Sequence, residues 1–132
     1  EAAGTIEHPE YQAAITLLLA ITDQFPEAPA EGERRAREVL PRLRDDYKRA
    51  YYEGIIYGRR AEAQLRRGAP GAGEMAYEWF RKAMTLYGRA EALRPPGNDE
   101  AILRWNTCAR ILERGADHVR PRVEQDYEPS LE

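Results

Sequence analysis

Ala76-Tyr77-Glu78-Trp79-Phe80-Arg81-Lys82-Ala83 is the stretch whose reading decides the fold of this chain. Ala76, Phe80 and Ala83 stand four and three residues apart, and Tyr87 and Ala90 continue at four and three. That spacing lines one side of an α-helix with alternating small and large apolar side chains. Met84 and Leu93 extend the same face. A helix is therefore expected over about residues 74–93, ended by Pro95-Pro96-Gly97.

Before this helix comes Gly68-Ala69-Pro70-Gly71-Ala72-Gly73, a turn. Gly68 is placed to cap a preceding helix after Arg66 and Arg67, whose charges suit the negative end of a helix dipole. Three glycines raise the thought of a phosphate loop. The segment lacks the Walker pattern and its Gly-Lys-Ser/Thr ending, so a turn suffices. Upstream, Leu40, Leu43, Tyr47, Ala50, Gly54, Tyr57, Ala61 and Leu65 alternate spacings of three and four, which predicts a second helix over about 33–67. Pro41 interrupts it: inside a helix it removes a hydrogen bond and costs about 3 kcal/mol, so a bend or break is expected there. Gly54 and Gly58 lie one turn apart. They mark close approach of a neighbouring helix backbone or, alternatively, room for a ligand against a bare helix wall.

Beyond Pro95-Pro96-Gly97, Asn98 or Asp99 caps a further helix over about 99–114, with Ile102, Trp105, Ala109 and Leu112 on one side. At the other end, His8-Pro9-Glu10 opens a first helix whose stripe is Tyr11, Ala14, Ile15, Leu18, Ile21 and Phe25. Leu17 and Leu19 widen that stripe, so cover on more than one side is expected. Residues 27–32 read as a loop. Residues 1–7 read as a lead-in and residues 116–132 as an irregular tail, draped over the bundle by Val119, Val123 and Tyr127.

The fold class expected is all-α. It consists of antiparallel helical hairpins in one domain over residues 1–132, and a four-helix bundle fits the periodicities. The 132 residues suffice to bury a core without metals or disulfides. Net charge is −3, but residues 1–30 carry five acids and no Lys or Arg, while residues 31–68 carry eleven bases and seven acids. Two oppositely charged elements packed together account for this; a basic face for an acidic partner is the sharper alternative.

Chemistry is sparsely represented. The single Cys108 excludes an internal disulfide, and His8 and His118 are too few and too far apart for a zinc site. Ser130 and Cys108 have no sequence-level base beside them. Neither a catalytic set nor a cofactor nor a metal is expected. No apolar run is long enough to span a membrane. The chain begins at Glu1 without an initiating Met; cytoplasmic residence is expected, with a processed secreted form left open.

At Ala76-x3-Phe80-x2-Ala83, followed by Tyr87-x2-Ala90 and Pro95, the pattern resembles the second helix of a tetratricopeptide repeat. Tyr57, Ala61, Gln64 and Gly68 stand near the positions of that unit's first helix, and Pro96-Gly97-Asn98-Asp99-Glu100-Ala101 looks like the lead into a next unit. The match covers about residues 51–114, and the Trp-x2-Leu-Gly-x2-Tyr signature is not present in full. The resemblance implies a right-handed stack of hairpins and a scaffold that binds protein or peptide in a groove. Self-association into a homodimer is one form of this. In such domains Arg, Lys and Asn often hold a peptide carboxylate. The residues expected to bind a partner are Tyr52, Arg59, Arg60, Arg104, Asn106 and Arg110. Gly54, Gly58, Ala76, Phe80 and Ala83 are expected to pack helices closely. A nucleic-acid-binding helical domain using the Arg-rich second helix is the alternative, disfavoured by the net negative charge.

Overall fold

A computed structural model describes residues 9–115 and 119–121. It is all-helical, with five α-helices in antiparallel hairpins and no strand among the described residues. They are α1 (Pro9–Asp23), α2 (Pro29–Val39), α3 (Asp46–Arg67), α4 (Ala72–Leu93) and α5 (Glu100–Arg114).

In α1, Ala14, Leu18 and Ile21 are buried, and Phe25 follows them inward. Only one flank of the wide apolar stripe is covered: Leu19 packs on the core while Leu17 stays 39% exposed. α2 begins at Pro29, inside the segment expected to be a loop. Proline loses nothing at a first helical turn, and Gly32 is a packing residue here. A Cβ at Gly32 would stand 2.7 Å from Cδ1 of the fully buried Phe25 ring, so the ring occupies the space a side chain would need.

The expected break at Pro41 is complete. Leu40–Arg42 forms a 3-10 turn, Leu43 is extended at φ −89° and ψ 100°, and Asp45 starts α3 by accepting the Lys48 N–H at 3.1 Å. One predicted helix is therefore two, and the two run antiparallel. Glu33 of α2 pairs with Arg60 of α3, while Arg37 pairs with Glu53, so one helix ascends as the other descends. α3 ends at Gly68, left-handed at φ 65°, with Arg66 and Arg67 in the last turn. α4 starts at Ala72, one residue after Gly71 at φ 79°.

α3 packs most extensively on α4, and α4 on α5. Ala76, Phe80, Ala83, Tyr87 and Ala90 are all buried in that seam. Gly54 is the closest point. A Cβ there would lie 2.5 Å from Cε1 of Tyr87, so the glycine admits a ring, not a neighbouring backbone. At Gly58 the added Cβ would meet only the Tyr87 hydroxyl, at 3.6 Å. A second, smaller core joins α1 and α2 to α3 through Ile56 and Ala63, and Tyr52 packs against both cores. Val119 packs into the larger core against Gly115, as expected of a draped tail, and its N–H bonds the Gly115 carbonyl. His8, His118, Val123, Tyr127 and Ser130 lie outside the described residues.

Candidate functional site

The side of α3 that faces α5 is built from tyrosines. Tyr47 donates to Glu100 Oε1 at 3.1 Å and accepts from Asn98 Nδ2 at 3.0 Å. Asn98 Oδ1 in turn accepts the Glu100 N–H at 2.9 Å, so Asn98 closes the start of α5 and anchors it to α3. One turn further along, Arg104 Nε donates to the Tyr51 hydroxyl at 3.0 Å. Both cross-helix pairs are 53 positions apart, which places α3 and α5 parallel in one register. Tyr51 is the hub of the rings. Tyr47 stacks on it at 5.9 Å, Tyr52 meets it edge-on at 4.9 Å, and Tyr87 lies tilted at 5.9 Å.

Beyond Tyr51 a cavity of about 40 Å³ lies among α3, α4 and α5. Gly58, Arg59 and Glu62 of α3, Tyr87 of α4, and Arg104, Thr107 and Cys108 of α5 are among its lining residues. It holds a water or two, not a small-molecule substrate. Burial pushes the Cys108 thiol up to about 11, with the Glu62 carboxylate adding to the effect. The thiol is therefore protonated near neutral pH and is a weak nucleophile. Burial likewise raises Tyr87 and Tyr47 far above the usual phenol range.

The residues singled out in the sequence divide between two faces. Arg59 and Arg104 both line this cavity. Arg59 is held by Asp23 of α1 at 3.1 Å, and the terminal nitrogens of Arg104 make no hydrogen bond among the described residues. Arg110 does not line the cavity; it donates to Thr107 on its own helix at 3.4 Å. Tyr52 is half-buried beside Tyr51. Asn106 does not share the Arg104 face, because two residues on a helix are about 200° apart; it is half-buried on the far side of α5. Arg60, next to Arg59 and so about 100° round the helix, faces away altogether. Its guanidinium bonds Glu33 at 2.9 Å and lies 4.5 Å from the Trp79 ring centroid, leaving the side chain 14% exposed.

That opposite face carries a network the sequence reading missed. Glu33 holds Arg37 at 2.8 Å as well as Arg60, and Glu53 holds Arg37 at 3.2 Å. Arg37 and Lys82 approach the Tyr57 ring at 4.9 and 5.6 Å. The only sequence signal for it was Glu33 standing four before Arg37. Among the described residues no three of His, Cys, Asp or Glu converge as metal ligands, and no helix is long and apolar enough to cross a membrane. Comparison with protein-family models, with curated proteins and with solved structures gives no match to this chain.

Proposed function

We propose that this chain is a non-enzymatic interaction module of tetratricopeptide-like kind, which binds a protein or peptide segment along the α3–α5 face. The observation that carries the reading is the convergence of Arg59 and Arg104, from two parallel helices, on one small cleft, with Arg104 bonded to the Tyr51 hydroxyl. Arginine presents a planar fork to carboxylates, and the half-buried Tyr52 offers rigid contact area nearby on α3; together they suit a peptide surface. In this reading α3 and α4 form one helical unit, α5 is the first helix of the next, and α1 with α2 precedes them. A second copy of the chain is one such partner, and the module works in the cytoplasm. Cys108, held protonated by burial, offers no enzymatic alternative at this face.

Nucleic-acid binding is less well supported, because Arg60 of the Arg-rich helix is matched by Glu33 and the net charge is −3. The test is selection from a displayed random-peptide library with free C-termini, followed by titration of the selected peptides. Replacing both Arg59 and Arg104 by Ala is expected to weaken binding at least tenfold. Peptides that bind the double variant as tightly as the parent, or a selection without enrichment, would remove this reading.

A further inference from the structure

On the side of α3 away from Arg59 and Arg104, a trough runs between α3 and α4, with Tyr57 and Glu53 on its α3 side. It consists of two adjoining depressions. The first, about 310 Å³, is lined by Glu53, Tyr57, Lys82, Thr85, Leu86 and Arg89. The second, about 270 Å³, shares Glu53 and Arg89 and ends at Leu93, which is 47% exposed. From Lys82 to Leu93 the trough follows three turns of α4, roughly 16 Å.

Its charges are unevenly matched. Arg37 is held by Glu33 and Glu53, and Arg49 by Asp46. Lys82 and Arg89 are exposed and have no carboxylate partner among the described residues. They stand seven residues apart on one stripe of α4, about 10 Å, with Leu86 on the wall between them. Glu53 and Asp46 sit in the same trough. A continuous row of phosphates would meet both carboxylates, whereas a peptide with two separated anionic groups brings less negative charge against them.

We propose that this trough docks an acidic peptide segment of a partner protein. The segment carries two carboxylates about 9 Å apart, three residues along a polyproline-II chain, whose three-residue turn puts both on one side, and they pair with Lys82 and Arg89. An apolar side chain next to them rests on Leu86 or Leu93. This surface is separate from the Arg59–Arg104 cleft and does not depend on it.

The test uses a fluorescein-labelled ten-residue peptide of polyproline-II-forming sequence, with two glutamates separated by two prolines and a leucine after the second. Its binding to the full chain is followed by anisotropy at 50 mM and 300 mM NaCl. Binding at low salt is expected, weakened several-fold at 300 mM because exposed charge pairs are screened. Replacing both glutamates by glutamine is expected to abolish it. Lys82→Glu with Arg89→Glu is expected to weaken it at least tenfold; circular dichroism on the same sample checks that the helices persist. Arg59→Ala with Arg104→Ala is expected to leave it unchanged. The proposal is overturned by absence of binding at 50 mM, by equal binding of the glutamine peptide, or by a folded charge-reversal variant that binds as the parent does. It is also overturned if the Arg59/Arg104 variant loses the peptide, which would move the site to the other cleft. Displacement of the peptide by a lower concentration of a fifteen-nucleotide single-stranded DNA would reassign the trough to nucleic acid.

Discussion

Two glycines one turn apart in α3 behave as different residues once Tyr87 is in view. A Cβ on Gly54 would lie 2.5 Å from the buried Tyr87 ring, which would have to shift to admit it. Alanine at 54 gains helix propensity of up to about 1 kcal/mol, but overpacking costs more, and a net loss of about 1–2 kcal/mol is expected. Alanine at 58 makes an ordinary contact at 3.6 Å and is expected to stabilise by about 0.5–1 kcal/mol. Urea denaturation of the two variants checks both signs. Cys108 sets a second expectation. Its thiol is raised from 9.0 to about 11, so between those values the unfolded chain gives up the proton while the folded chain retains it. Unfolding free energy therefore falls as pH rises through that window. The slope of stability against pH from 9 to 11 is expected to flatten in Cys108→Ala, whatever the change in absolute stability.

At the level of elements, the junction between α3 and α5 rests on Tyr47. Phenylalanine there removes one bond to Glu100 and one from Asn98, both partly exposed, for an expected loss of about 1 kcal/mol. Hydrogen exchange should quicken in the first turn of α5 and stay unchanged in α2; uniform acceleration across the chain would contradict this local role. The helices themselves were legible in the sequence, because Ala76, Phe80, Ala83, Tyr87 and Ala90 repeat at a helical period and all go inward. Pro41 was legible as a break for the same local reason. Pro29 and Gly32 misled, since both are common in loops, and only the Phe25 ring explains why Gly32 belongs inside α2. The site was harder to read. Arg59 and Arg104 were found as residue types, but their meeting depends on the 53-residue register between α3 and α5, which no local pattern encodes. Arg60 was grouped with Arg59 by adjacency in sequence, and helical rotation separates them.

At the scale of the molecule, two cores share one helix. α3 offers Ile55 to the core it forms with α4 and α5, and Ile56 to the core it forms with α1 and α2. The ion pairs Asp23–Arg59, Glu33–Arg60 and Arg37–Glu53 add to the second attachment, but partly exposed pairs contribute little each. The α1–α2 hairpin therefore depends on a few buried side chains. Ile56→Ala, at a fully buried position, is expected to cost about 2–4 kcal/mol. The loss should appear first as deprotection of α1 and α2 amides while α4 remains protected. Simultaneous loss of protection in all five helices would mean that the two cores unfold as one.

The loop from Gly68 to Gly71 connects the two longest helices through exposed, positive-φ glycines, directly after the exposed Arg66 and Arg67. Because the α3–α4 seam is the most extensive in the fold, side chains hold the two halves against each other independently of the covalent link at this loop. Brief trypsin treatment is expected to nick the chain after Arg67, with the halves remaining together through gel filtration. Residues 1–67 and 68–132, produced as separate polypeptides, should then reassemble on mixing, with recovery of the parent helicity. The protein would thereby become a two-component reporter, each half silent until it meets the other.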